Sequence, residues 1–131
     1  MIVVDTSVLI DLLKGKVTDP VARLVTLEEH DTPYHIPTIC CQELLQGARN
    51  EREWKQLQGY LSTQNLLAPA DSWETHQAAA RIYFDCRRKG ITLRGTIDCL
   101  IAQLVLDNEA VLLHDDDDFT RIAKVRPLGF V

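Results

Sequence analysis

Short apolar runs alternate along this chain with longer amphipathic segments. The short runs are rich in valine, leucine and isoleucine and are bounded by turn residues, which is typical of buried parallel strands. They predict strands at residues 2–4, 34–36, 66–67, 111–113 and 125–127.

Apolar residues at helical spacing predict amphipathic helices between these strands. The expected helices cover residues 8–13, 20–27, 39–48, 49–60, 73–89 and 97–106, with a short helical turn at 119–122. Thr6 and Ser7 offer N-cap hydroxyls for the first helix. Trp73, Ala79 and Ile82 are expected on the buried face of the longest one. Strands alternating with helices predict an α/β fold, a central parallel sheet of about five strands between two helical layers.

The bulk composition is that of an ordinary globular protein. The 131 residues suit one domain spanning 1–131, with 46 % apolar and 25 % charged residues. The net charge of −5 and the lack of a basic tail do not indicate nucleic-acid binding. A local basic rim would still suffice, and the candidates for one are Arg49, Arg52, Arg87, Arg88, Lys89 and Arg94.

Cysteine spacing predicts a reducing compartment, and the hydropathy of the chain predicts no membrane span. Cys40, Cys41, Cys86 and Cys99 form no CxxC pair, so buried free thiols are expected rather than disulfides or a zinc site. No apolar stretch is long enough for a membrane span or resembles a signal peptide. The expected location is the cytoplasm, with no membrane partner.

Carboxylates follow two of the predicted strands. Asp5 ends the first strand, and the run 115–118 contains four consecutive aspartates just after the strand at 111–113. In an open α/β sheet, ligands bind outside the carboxyl ends of the strands. Two acidic strand ends would place like charges in one crevice, which a divalent cation with a preference for oxygen ligands would relieve.

Two further acids, Glu43 and Asp98, have both a structural and a functional interpretation. Glu43 could lie on a solvent stripe with Gln42 and Gln46, or it could face the crevice. Asp98 lies in the first turn of its helix, where it could simply compensate the helix dipole. Taken singly, each acid is more readily explained as structural, but their joint placement on one rim of the sheet favours a metal site.

Four stretches resemble the PIN-domain ribonucleases, and among these the VapC-type toxins of toxin–antitoxin pairs. The stretches are VVDTSVLID at 3–11, QELLQG at 42–47, TIDCLIA at 96–102 and LLHDDDDF at 112–119. Their order and spacing agree with the family across essentially the whole chain.

The resemblance implies a metal site and a catalytic role for Asp5, Glu43, Asp98 and Asp116. It implies supporting roles for Thr6, for Asp118 through water or a second layer of contacts, and for Arg94 towards phosphate or a partner. The usual motif separates its last two acids by a non-acidic residue. Since Asp115 and Asp117 are acidic here, the choice among residues 115–118 stays open, and solvated positions are expected for these two.

The implied function is hydrolysis of RNA phosphodiester bonds with Mg²⁺ or Mn²⁺ as cofactor. The implied partners are an RNA substrate, which could be a transfer RNA, a small antitoxin and a second copy of the chain in a homodimer. Trp54 is one apolar position that could serve such contacts. A packed position at the strand end is expected for His114.

Two other hypotheses remain open from the residues. One is a phosphohydrolase or phosphotransfer domain with an aspartate nucleophile, although no lysine follows the strand at 111–113 until Lys124. The other is a non-catalytic interaction module whose acids only cap helices.

Overall fold

Five short parallel strands form one sheet in the computed structural model, which describes residues 1–131. The spatial order is β3-β2-β1-β4-β5, so β1 is central. The strands are β1 (Ile2–Val4), β2 (His35–Pro37), β3 (Asn65–Leu67), β4 (Val111–Leu113) and β5 (Gly129–Phe130).

Seven helices flank this sheet and give the expected α/β/α arrangement. One group, α1 to α4, packs in sequence through α1–α2, α1–α3 and α3–α4 contacts, and the second group is α5, α6 and α7. The helices are α1 (Thr6–Leu13), α2 (Asp19–Glu29), α3 (Thr38–Gln46), α4 (Glu51–Leu61), α5 (Ser72–Arg88), α6 (Ile97–Asp107) and α7 (Asp117–Ile122).

The core lies between the two helical groups and the sheet. Val3 and Val4 of β1 and Leu112 of β4 are fully buried, because strands covered on both faces expose neither row of side chains. A single cluster of 27 buried residues joins them to side chains from α1, α5, α6 and α7. The protein therefore has one hydrophobic core.

Several expected element boundaries were wrong. The helix predicted to end at about residue 48 ends at Gln46, and α4 begins at Glu51 rather than at residue 49, because Asn50 caps it and accepts a hydrogen bond from Glu53 N at 2.9 Å. The last strand lies at Gly129–Phe130 rather than at 125–127. Trp73 is 71 % exposed, and the buried face of α5 is instead Thr75, Ala79, Ile82 and Cys86.

The cysteines agree with the sequence expectation. Cys40, Cys41, Cys86 and Cys99 are buried free thiols. None of the helices combines the length and the apolar character that crossing a bilayer requires.

Candidate functional site

The carboxyl ends of β1 and β4 lie side by side. Val4 is in register with Leu113, and the amide of Asp5 donates to the Leu113 carbonyl at 3.0 Å. This pairing brings Asp5 and the aspartate run after β4 to the same edge of the sheet, where parallel sheets bind ligands.

Asp5 is both buried and held in place by the helix that it starts. It is 3 % exposed and is the N-cap of α1, so the cap is this acid rather than the Thr6 or Ser7 hydroxyl. Its Oδ2 accepts from Ser7 N at 3.0 Å and from Ser7 Oγ at 2.6 Å. Ser7 Oγ in turn accepts from the amide of Asp115 at 3.0 Å, which ties the two strand ends together.

Three further aspartates form a tight cluster beside Asp5. One carboxylate oxygen from each of Asp98, Asp116 and Asp118 lies within 4.8 Å of the others. Asp98 is in the first turn of α6, Asp116 is the N-cap of α7, and Asp118 is fully buried. We call Asp5, Asp98, Asp116 and Asp118 the acidic cluster.

Two arginines hold part of the acidic cluster from outside. Asp118 Oδ2 accepts from the Arg94 amide at 3.0 Å, and its Oδ1 accepts from Arg121 Nη1 at 2.7 Å. Asp116 uses only Oδ1, which accepts from Arg94 Nη2 at 2.6 Å and from Asp118 N at 2.9 Å. Both oxygens of Asp118 are therefore engaged by protein donors, whereas Oδ2 of Asp116 is left without one.

The electrostatics of the cluster disfavour full ionisation. Burial, followed by the charges of Asp116, Asp5 and Asp118, raises the pKa of Asp98 to about 8. Burial also raises the pKa of Asp5. For Asp118 burial is outweighed by the hydrogen bonds from Arg94 and Arg121, so its pKa lies below the usual range. Buried carboxylates this close together repel unless a proton or a cation lies among them. The donor set is all oxygen, which fits a hard divalent cation such as Mg²⁺ or Mn²⁺.

Glu43 faces this edge from α3 and does not belong to a solvent stripe with Gln42 and Gln46. Its Oε1 accepts from Thr6 Oγ1 at 2.8 Å, and burial followed by the charge of Asp5 raises its pKa. Glu43 and Asp5 lie outside the group of three that converges within 4.8 Å. The structure thus places all four acids proposed from the sequence at one edge, with Glu43 at its margin.

His114 packs against the rim, as expected. Its ring lies 5.1 Å from that of Phe119 and 4.5 Å from that of Phe130, measured between centroids. Burial lowers its pKa, and Nδ1 accepts from the amide of Asp116 at 3.1 Å. His114 therefore helps to shape the loop carrying the aspartates. Asp115 and Asp117 are exposed, as expected.

Sequence reasoning missed the roles of Ser7 and Arg121. Ser7 was considered only as a helix cap, yet it bridges Asp5 to the loop after β4. Arg121 neutralises the fully buried Asp118 from one turn along α7. The spacing of three residues between Asp118 and Arg121 was the available signal, because residues so spaced are neighbours on a helix.

Comparison with known proteins gives consistent results. The PIN domain family model matches residues 2–125. The chain is 32 % identical over 130 residues to the VapC ribonuclease Mb1587 of Mycobacterium bovis, covering 98 % of this chain and 96 % of the relative.

Solved structures share the fold at lower identity. VapBC2 from Rickettsia felis, bound to a DNA fragment from its promoter, aligns with a TM-score of 0.75 and 20 % identity, covering 100 % of this chain and 98 % of that one. A toxin–antitoxin complex from Klebsiella pneumoniae aligns with a TM-score of 0.69 and 19 % identity, covering 91 % and 90 %. With the acidic cluster at the carboxyl edge of a five-stranded parallel sheet, these matches show that the chain belongs to the PIN-domain family, in the group of the VapC ribonucleases.

Proposed function

We propose that this chain is a metal-dependent endoribonuclease of the toxin type, acting as one PIN domain over residues 1–131. The observation that carries the proposal is the convergence of Asp98, Asp116 and Asp118 within 4.8 Å, beside Asp5, in a chain of VapC ribonuclease ancestry. RNA is the substrate class, with transfer RNA as one candidate, and Mg²⁺ or Mn²⁺ is the cofactor.

Asp5, Asp98 and Asp116 are the proposed metal ligands. Asp116 is preferred to Asp118 because its Oδ2 is not engaged by a protein donor, whereas both Asp118 oxygens are. Glu43 completes the set at its margin, directly or through water, and the Thr6 hydroxyl fixes the orientation of its carboxylate. Asp118 acts as a supporting residue that anchors Arg94 and Arg121.

The residues around the metal ligands prepare the site for a phosphodiester. A bound divalent cation supplies the charge that lowers the pKa of water and balances the transition state. Such a charge relieves the repulsion between ionised Asp5 and Asp98, so substrate phosphate is accepted in the metal-loaded site. The Arg94 guanidinium, with a 70 % exposed side chain, contributes positive charge at the entrance.

The activity test compares three carboxylate-to-amide variants. Purified wild type with Mn²⁺ should cleave RNA, and excess chelator should abolish cleavage. Asp5→Asn and Asp98→Asn should each lose about 100-fold or more, since even the hydrogen-bond partners of metal ligands contribute 10–100-fold. The matched control is Asp115→Asn, an exposed neighbour of the same run, which should cleave like wild type. Full activity in a natively folded Asp98→Asn would contradict the proposal.

An antitoxin partner and a homodimer complete the proposal. A groove of about 650 Å³ between α1, α3 and α4 has an apolar floor that includes Ile10, Leu44 and Leu57, which suits an amphipathic segment of a small antitoxin. Trp54 on α4 and Phe84 on α5 are large apolar side chains that remain 40 % and 38 % exposed in the monomer. Contacts with the antitoxin or with a second copy would cover them.

A further inference from the structure

Two clefts lie next to each other beside the acidic cluster, between the end of α5 and the segment from α7 to residue 126. One has a volume of about 480 Å³ and the other of about 340 Å³. They adjoin where Lys89 precedes Gly90 and where Lys124 precedes Val125. We define the basic strip as their six cationic side chains, Arg88, Lys89, Arg94, Arg121, Lys124 and Arg126.

The basic strip concentrates positive charge in an acidic protein. It holds six of the 14 lysines and arginines of a chain with a net charge of −5. The carboxylates that line the two clefts are Asp85 and Asp117. The basic strip is therefore positively charged on a protein whose net charge is negative, which favours a binding site for an anionic ligand.

Half of these cations are not neutralised within the protein. Arg94, Arg121 and Arg126 each pair with a carboxylate, at 2.6, 2.7 and 2.8 Å. Lys89 and Lys124 are exposed and form no salt bridge, and the same holds for Arg88. Exposed cations gathered on one side of a cleft attract a polyanion and release its counterions on contact.

The strip is continuous with the metal site. Arg94 lines the larger cleft, and its Nη2 lies 2.6 Å from Oδ1 of Asp116 in the acidic cluster. Each cleft has a single apolar lining residue, Ile91 or Val125. Such a polar lining fits a sugar–phosphate backbone better than the apolar face of a partner helix, which needs a hydrophobic groove.

We propose that the basic strip binds the phosphates of the RNA strand on one side of the scissile bond, so that the strand leaves the acidic cluster over the end of α5. This inference rests on the ribonuclease function proposed above and adds to it a direction for the substrate. Lys89 and Lys124 are the phosphate contacts, and Arg94 connects the strip to the cleavage site.

The test measures how the binding of a single-stranded RNA depends on salt. All proteins carry Asp98→Asn, which stops hydrolysis, and Mg²⁺ is present throughout. A phosphate contact on a single strand contributes about 0.7 to the slope of log K against log salt. The double variant Lys89→Ala/Lys124→Ala should therefore make the negative slope less steep by about 1.4, and its affinity deficit should shrink about sevenfold between roughly 50 and 200 mM salt.

The control and the alternative outcomes separate the two proposals. Lys55→Ala removes a lysine from α4, away from both clefts, and should leave the slope unchanged. If the double variant keeps the slope of its parent, the basic strip is not an RNA contact. If it keeps that slope but loses binding to poly-glutamate, the strip docks an acidic protein segment, and the inference is also overturned. Failure of the wild-type chain to cleave any RNA with Mn²⁺ would instead reject the proposed function itself.

Discussion

At the scale of single residues, Asp98 is a carboxyl group with a strongly raised pKa. It lies beside the ionised Asp118, near Asp116 and Asp5, and burial together with these charges raises its pKa to about 8. Arg94 and Arg121 stabilise the charge of Asp118 but leave Asp98 without a cation of its own. The acidic cluster therefore carries more negative charge than its neighbouring arginines balance.

This imbalance predicts a pH-dependent stability in metal-free protein. The pKa of Asp98 is higher in the folded state than in the unfolded chain, so the folded state binds more protons between pH 4 and pH 8. Stability is full below this window and is lost as the pH rises through about 8. The lowered pKa of Asp118 has the opposite sign but acts below about pH 4, outside the window.

Thermal unfolding followed by circular dichroism checks this prediction. The Tm of the chelated wild type should fall between about pH 5 and pH 8, and Asp98→Asn should reduce the fall because its amide cannot ionise, while the raised pKa values of Asp5 and Glu43 keep part of it. Added Mn²⁺ should raise the Tm of wild type at about pH 8 and raise that of Asp98→Asn less. A Tm of chelated wild type that rises over this range would contradict the raised pKa of Asp98 in the folded state.

At the scale of elements, two features of this region matter: α3 packs against α1, and a break separates α3 from α4. The apolar and amphipathic pattern runs on from residue 39 to residue 60, yet Gly47 ends α3 and Asn50 begins α4 in extended geometry. The short α3 packs against α1, and this packing brings Glu43 to Thr6. A continuous helix would leave no turn between residues 46 and 51, and α4 could not fold back against α3.

Removing the cap at this break has a defined cost. Asn50→Ala should destabilise the protein by about 1 kcal/mol, because the Oδ1 acceptor for Glu53 N is lost at the start of α4. Asn50→Ser keeps a side-chain acceptor and should cost at most a few tenths of a kcal/mol. Urea unfolding measures the free energy of unfolding of both variants. Equal values would mean that packing rather than capping fixes the break.

At the scale of the whole molecule, very short strands are sufficient because both faces of the sheet are covered. Strands of two or three residues carry few ladder hydrogen bonds, so the burial of side chains from β1, β2 and β4 between the two helical groups holds the sheet together. The position of the acidic cluster depends on β1 and β4 staying in register. Loss of core packing in β4 should therefore affect both stability and the geometry of the acidic cluster.

Two adjacent positions of β4 test this dependence. Leu112 is fully buried, and Leu112→Ala should cost about 3 kcal/mol, within the usual range for large-to-small core changes. Val111 is 37 % exposed at the start of the same strand, and Val111→Ala should cost well under half of that. Urea unfolding gives both values. A Leu112→Ala variant as stable as Val111→Ala would show that β4 does not carry core packing.

Much of the fold follows from local patterns in the sequence. Runs such as residues 2–4 and 111–113 are apolar throughout, which requires burial on both faces, and the helical spacing between them requires crossover helices. Hence the class of fold, the number of strands and the presence of acids at two strand ends could be predicted. The last strand and the exposure of Trp73 could not, since at those positions local propensity is weak and tertiary packing decides.

The acidic cluster shows where the sequence stops being sufficient. By itself the sequence determined that Asp5 and the run 115–118 follow buried strands, and that Asp98 begins a helix. Only the tertiary structure distinguished the four consecutive aspartates, because their different roles depend on partners far away along the chain. Asp118 is buried since Arg94 and Arg121 compensate its charge, Asp116 keeps one oxygen without a protein donor, and Asp115 and Asp117 point to water. The choice among them is set by burial and charge balance, which a run of identical residues cannot encode.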